Sequence, residues 1–284
     1  MTAFEPQLLA ADFAQVRRVL ADFVAARSPD DWGRKTERRA KGWTLHQTLA
    51  HLVATAEVLF QATENTLRGL PVSFPLSRRT ELSAFNERSI AERLHIPPPT
   101  LAEALFEILD HYAERCPDLT ADDLSRSISA PFYNRPLTIA EALGWQLMHP
   151  GMVHAAQLAN GAGVEPLWIH YAPELMRRQI TRFFNIMSHS YWPERGGDLR
   201  ASINFVVSGP GGGRWHVTAA PNGGEAGEGA AAHPALTVWA RSANALCRLM
   251  MLQVSIVGAM ARGEMLAWGN FGLGFKIPRL FVPT

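Results

Sequence analysis

Trp43-Thr44-Leu45-His46-Gln47-Thr48-Leu49-Ala50-His51-Leu52 opens on a helix-start signature and carries the histidine around which the first half can be ordered. Thr44 followed three residues later by Gln47 is a capping box, in which hydroxyl and amide each satisfy an otherwise orphan backbone N–H. Thr100-Leu101-Ala102-Glu103 and Thr138-Ile139-Ala140-Glu141 repeat the pattern. Apolar residues then recur at spacings of three and four, as in Leu101, Leu105, Ile108, Leu109 and Tyr112. With an opening helix from about Glu5 to Ala26, four long helices are expected in residues 1–165. Proline-rich loops separate them: Pro71 to Pro75, Pro97-Pro98-Pro99 and Pro131 to Pro136. A four-helix bundle is the economical arrangement.

After Gly161-Ala162-Gly163 the periodicity changes, and residues 166–284 read as a smaller α+β domain. A helix from about Pro173 to Ser190 precedes alternating segments at Arg200 to Val207 and Arg214 to Ala219. Gly209-Pro210-Gly211-Gly212-Gly213 between them reads as a hairpin loop. It lacks the Lys-Ser/Thr and following helix that a phosphate loop needs. A diffuse glycine-rich stretch runs to Gly229. A strand at Leu236 to Ala240, a helix capped at Ser242, a strand near Met265 to Trp268 and a last helix from Gly272 to Phe281 follow.

Composition narrows the function classes. Among 284 residues, 27 Lys and Arg against 26 Asp and Glu leave a net charge of +1, with no electrostatic footprint for nucleic acid or an anionic membrane. Cys116 and Cys247 are too few and too far apart for a disulfide scaffold or a cysteine-rich zinc module, and neither has the neighbours of a nucleophile. The most apolar stretch, Leu249 to Ala261, is broken by Gln253 and Ser255 and falls short of the ~18 residues of a spanning helix. The opening MTAFEPQLLAADF has no signal-peptide progression. A cytoplasmic protein acting on a small or apolar molecule is expected, without nucleic-acid binding or membrane insertion; a homodimer is left open.

Among the ten histidines, His51, His149 and His154 stand out. At ~1.5 Å per residue, His51 lies ~10 Å from the start of its helix and His154 ~9 Å from an end near Asn160. They are level if the second and fourth helices run antiparallel. That requires the long Pro71 to Pro99 connection to act as a crossover. His149 precedes His154 by five residues, ~140° out of line on a regular helix, whereas a π-bulge would bring it within ~50°. Pro150, which removes a backbone donor, and Gly151 sit where such a bulge can form. His46, His95, His111, His170, His189, His216 and His233 are assigned structural or surface roles.

Gly42-Trp43-Thr44 with Leu49-Ala50-His51-Leu52, then Phe85-Asn86-Glu87, then His154-Ala155-Ala156-Gln157-Leu158, resemble the DinB-like superfamily, and within it the mycothiol-dependent maleylpyruvate isomerases. Ile203-Asn204-Phe205, Gly211-Gly212-Gly213-Arg214-Trp215, Leu236-Thr237-Val238, and Gly263-Glu264-Met265 with Trp268-Gly269 resemble a sterol-carrier-protein-2-like domain. The first resemblance implies a crossover bundle holding a divalent metal on His51, His149 and His154. Zinc is the first expectation, with nickel, manganese or iron as alternatives. In the family the two fourth-helix ligands are four residues apart, and here Pro150 occupies that place. The resemblance also implies a low-molecular-weight thiol and isomerisation or S-transfer on an electrophilic substrate in an interdomain cleft. Arg241 or Arg214 would supply a cation from the second domain, and Glu57 would serve as an acid near the metal.

Three rival readings compete with this one, among them a protein–protein interaction module in which bundle and smaller domain form a dimer. A metal-held water would make the protein a hydrolase. If Pro150 has destroyed the site, the second domain would act as an apolar-ligand or lipid carrier, with Trp215, Trp239, Trp268, Leu249, Met250 and Met251 lining its cavity.

Overall fold

The computed structural model describes residues 3–37 and 42–281; Met1 and Thr2 of the opening segment lie outside them. The chain divides into two compact units: residues 1–132 with 136–171, and residues 133–135 with 172–284.

The first unit is helical. Helix α1 (Pro6–Ala25) starts with proline in its first turn, where the missing N–H costs nothing. It buries Leu9, Phe13, Val16, Leu20 and Phe23 at helical spacing. Helix α2 (Leu45–Leu67) begins at the Thr44 box, with Gln47 N donating to Thr44 Oγ1 and Gln47 Oε1 accepting from Thr44 N. The connection after α2 contains its own helix, α3 (Leu82–Ala91), packed on α2. Helix α4 (Pro98–Arg115) packs along α1 and α2, with Phe13 and Tyr112 rings 5.3 Å apart. Each fully buried leucine or phenylalanine in such a seam contributes ~1.5–3 kcal/mol.

The box expected at Thr100 does not form. Pro98 and Pro99 take the first helical positions, so α4 starts two residues before Thr100 and has no side-chain cap. A short α5 (Ala121–Ser125) and the two-residue strands β1 (Ser127–Ile128) and β2 (Leu137–Thr138) pin the next loop into an antiparallel ladder that periodicity did not suggest. The Thr138 box then starts α6 (Ile139–Met148), which is buried along almost its whole length. Inside it, Gln146 Nε2 donates to the α2 carbonyl of Ala56 at 3.0 Å. His149–His154 is a π-helical turn, followed by α7 (Ala155–Ala162), which ends at Gly163 with φ +71°, a left-handed stop suited to glycine. The fourth helix is therefore one rod with a wide turn in its middle.

The second unit begins with α8 (Pro173–His189), then a single turn α9 (Pro193–Gly196). Its five-stranded sheet has the order β5-β4-β3-β6-β7. Strands β3 (Ala201–Val207) and β4 (Gly213–Ala220) form the hairpin across the Gly209–Gly213 loop. The glycine-rich stretch read as diffuse is in fact strand β5 (Gly223–Glu228), paired antiparallel to β4 and packed against α8. Small residues are needed there: a Cβ on Gly224 would sit 2.6 Å from Tyr191 and 2.7 Å from Phe281. Strand β6 (Leu236–Ala240) runs parallel to β3 and antiparallel to β7 (Met265–Gly269). Between them lie α10 (Ala243–Met250), capped by Ser242, and α11 (Ile256–Ala261); α12 (Gly272–Leu280) closes the chain. The apolar run from Leu249 is thus split, and no helix among the described residues is long and apolar enough to cross a membrane.

Trp215 is fully buried against Phe184 of α8. Trp239 is half-buried with its indole N–H on Ser208 Oγ, and Trp268 is 54% exposed. The three tryptophans therefore do not share one enclosed environment.

Candidate metal centre

Three imidazoles meet inside the first unit. His51 on α2 is 6% exposed and His154 is 5% exposed, with His149 half-buried beside them. One ligand nitrogen from each lies within 4.8 Å of the other two. His149 Nε2 and His154 Nε2 are 3.0 Å apart, a separation readily adopted by two nitrogens each ~2.0–2.1 Å from one ion.

The π-turn makes this meeting possible. Pro150 has no N–H to give to the preceding turn, and the six-residue turn widens the helix so that residues five apart share a face. His51 comes from the other side, since α2 packs on both the π-turn and α7. Its ring lies 4.8 Å from that of His154 and 5.3 Å from that of His149.

Outer hydrogen bonds set which nitrogens face inward. Gln157 Oε1 lies 2.6 Å from His154 Nδ1, one turn along. A proton on Nδ1 donated to that amide oxygen leaves the lone pair on Nε2, facing His149. Thr55 Oγ1 spends its own proton on the His51 carbonyl at 2.7 Å, leaving oxygen lone pairs toward His51 Nδ1 at 3.4 Å. Both arrangements point the Nε2 atoms into the cluster.

Burial also discharges the rings. Desolvation, reinforced by the neighbouring His154, holds His51 well below the usual histidine range. His149 is lowered in the same way by desolvation and by the two other rings. His154 is lowered to about 4 by desolvation, against the Gln157 hydrogen bond. Three neutral imidazoles with converging lone pairs fit a divalent borderline cation such as Zn²⁺, Ni²⁺ or Fe²⁺.

Two indoles wall the cluster. Trp145, one turn before His149, stacks on it at 4.1 Å and 16°. Trp43 lies over His51 at 4.7 Å and is tethered by its indole N–H to Glu87 on α3 at 3.3 Å. The segments around Trp43, His51, Glu87 and His154, separate in sequence, thus converge on one place.

Of the residues singled out from sequence, the structure brings His51, His149 and His154 together. Glu57 is six positions beyond His51, ~240° around the helix; it is exposed and ion-paired with Arg93 at 2.5 Å. Arg241 and Arg214 are exposed residues of the second unit. Trp145, Gln157 and Thr55 were not assigned roles beforehand. Their signal was available as offsets of three or four residues from one of the three histidines, which place a side chain on the same helix face.

Gln157→Leu is expected to weaken metal binding by ~10–100-fold, the usual cost of losing an outer-shell partner. Gln157→Glu, which keeps the acceptor, should retain it. Chelator-competition titrations check this; equal affinity in the leucine variant would remove Gln157 from the site.

A family model, that of the DinB superfamily, matches residues 12–158. No curated protein sequence matches the chain significantly. Among solved structures, a mycothiol-dependent maleylpyruvate isomerase is similar with a TM-score of 0.54 at 16% identity, over 87% of this chain and 88% of that one. YfiT from Bacillus subtilis, described as a probable metal-dependent hydrolase, gives 0.43 at 18% identity over 58% and 86%. An uncharacterised protein from Escherichia coli UTI89 gives 0.46 at 15% identity over 56% and 94%. At 16% identity the likeness to the isomerase is one of fold.

Proposed function

For a chain that belongs to the DinB superfamily and gathers three neutral imidazoles in its bundle, we propose a divalent-metal-dependent enzyme acting on a small electrophilic molecule. The observation that carries the proposal is the π-turn, which sets His149 and His154 nitrogens 3.0 Å apart opposite His51. A divalent ion held there by three protein ligands would keep open positions at which a thiol or a water loses its proton more readily.

The remaining chemistry belongs to the chain. His51, His149 and His154 would hold the ion, with Gln157 and Thr55 keeping their tautomers. Trp43 and Trp145 cover the rings and exclude water on two sides, which strengthens electrostatic interactions there. Thiol-dependent isomerisation or S-transfer is the first reading, with zinc as the first metal. It draws on the fold likeness to the mycothiol-dependent isomerase. Metal-dependent hydrolysis is the second. Glu57 and Arg241 are proposed substrate or proton contacts, to be tested by substitution in the same assays.

The proposal extends to the crossover connection of the bundle, to a sterol-carrier-protein-2-like second unit and to a cytoplasmic setting that keeps a thiol cosubstrate reduced. The carrier reading drew on Pro150 as a disruption; in the π-turn Pro150 is instead part of what aligns the ligands.

Elemental analysis of tag-free protein tests the metal directly. Near one equivalent per chain after exposure to Zn²⁺, Ni²⁺, Mn²⁺ or Fe²⁺ is expected, and persistent absence would sink the proposal. Thiol-dependent turnover against water-dependent turnover of activated substrates then separates the two chemistries.

Acid should act on the metal-free protein with a defined sign. Neutral imidazole is favoured in the folded state, with His154 at about 4 against an ordinary 6.5. Below pH 6.5 the unfolded chain therefore binds protons that the folded chain refuses, and stability falls as pH drops from about 6.5 toward about 4. Each buried histidine contributes up to ~1.4 kcal/mol per pH unit in that window. Urea midpoints of the metal-free protein should fall more steeply with acid than those of His149→Asn; identical slopes would contradict neutral burial.

A further inference from the structure

The second unit carries a cleft of about 360 Å³ lined by Arg241, Ser242, Asn244, Ala245, Arg248 and Glu264. Its charge is the informative feature. Arg241 follows β6 directly, and its backbone N–H donates to the Glu264 carbonyl at 2.9 Å, which ties the two chain segments side by side. The Glu264 carboxylate is already spoken for: Arg262 Nε and Nη2 grip its two oxygens at 2.9 Å each in a fork. Among the described residues neither Arg241 nor Arg248 forms an ion pair, and the buried Arg248 Nε makes no hydrogen bond. Two guanidiniums thus share one cleft with a single carboxylate, which accepts its hydrogen bonds from Arg262 and feels both of them only through space.

Arg177 in the same unit finds Glu228, and Arg195 lies over the ring of Trp192. Basic residues outnumber acidic ones in this unit by roughly two to one, so carboxylates are scarce. The cleft also opens at the amino end of α10, where Ser242 takes the Ala245 N–H and the helix dipole adds a favourable field for negative charge. Guanidinium is the side chain best matched to planar or tetrahedral oxyanions, because its N–H groups form a fixed fork.

We infer that Arg241 and Arg248 form an oxyanion-binding site that takes a small organic molecule through its carboxylate or phosphate group. The inference rests on the residues of this cleft alone and does not depend on the metal reading. Its volume exceeds what an inorganic anion fills, leaving room for a carbon skeleton beside Asn244 and Ala245. Glu264, held in its fork with Arg262, forms one edge of the cleft and disfavours ligands with a second negative charge on that side.

The test uses the full chain at low ionic strength, titrated calorimetrically with inorganic phosphate and, separately, with acetate and succinate. Saturable binding of at least one probe is expected. It should weaken at least tenfold in Arg248→Gln and in Arg241→Gln, the latter exposed and so without consequence for folding. Arg177→Gln removes the same charge from the same unit and should leave the affinity unchanged. Binding of phosphate alone would identify a phosphoryl ligand; binding of acetate, with succinate weaker, would identify a monocarboxylate. No saturable binding of any probe would overturn the inference, as would equal weakening in Arg177→Gln, which would mean a diffuse charge effect. His51→Ala should not change the titration, so failure of this site and failure of the metal centre are read separately.

Discussion

His51→Ala is expected to reduce divalent-metal affinity by well over the ~10–100-fold that loss of an outer-shell partner costs, without loss of helicity. The reason is geometric. His149 and His154 lie in one π-turn, and His51 is the ligand that α2 contributes to the three-histidine group. Removing it leaves two nitrogens from one turn, too few to hold a borderline cation against water. His154→Ala should do the same, because it removes the ring whose outer nitrogen Gln157 fixes. Elemental analysis and chelator competition read the metal, and far-UV circular dichroism of the metal-free variants separates ligand loss from misfolding. Full stoichiometry in both variants would show that the imidazoles do not form the site.

The second large effect is one of stability. Trp215→Ala should cost ~3–5 kcal/mol, the usual range for removing a large aromatic from a packed core. Trp215 is fully buried, lies 6.0 Å from the Phe184 ring at 11° and donates its indole N–H to Thr181 Oγ1 at 2.9 Å. It ties β4 to α8, so its loss leaves a cavity and an unpaired hydroxyl together. A lower urea midpoint with near-UV ellipticity lost from the second unit's aromatics is the expected result. A cost under 1 kcal/mol would mean that the sheet and α8 do not share a core.

Much of the architecture was legible because it is written in local signals. The Thr44 and Thr138 boxes start helices where they stand, and the change of period after residue 163 marks the passage from bundle to sheet. Where local signals competed, the stronger chemistry won: Pro98 and Pro99 suit the first helical turn better than Thr100 suits the cap. Strand β5 was not legible, since Gly-Gly-Glu-Ala-Gly-Glu has neither alternation nor β-branching. It forms because β4 offers a ladder edge and α8 tolerates only small residues there.

The three histidines that meet could be named from the chain, and so could the condition for their meeting. A spacing of five with Pro150 inside it demands a π-turn if both rings are to face one ion. What no local pattern contains is which imidazole nitrogen faces inward. That depends on Gln157 and Thr55 as partners, on the indoles of Trp145 and Trp43, and on desolvation, all consequences of packing. The same holds for Glu57, six residues from His51, which is exposed and paired with Arg93 from the turn after α3. Sequence alone determined the helical first part, the change of period after it and the three histidines, because short-range sterics and hydrogen bonds decide those. Only the tertiary structure decided the tautomers, the lowered proton affinity of the three rings and the meeting of Arg241 and Arg248 in one cleft, because each depends on which distant groups are within reach once water has been excluded.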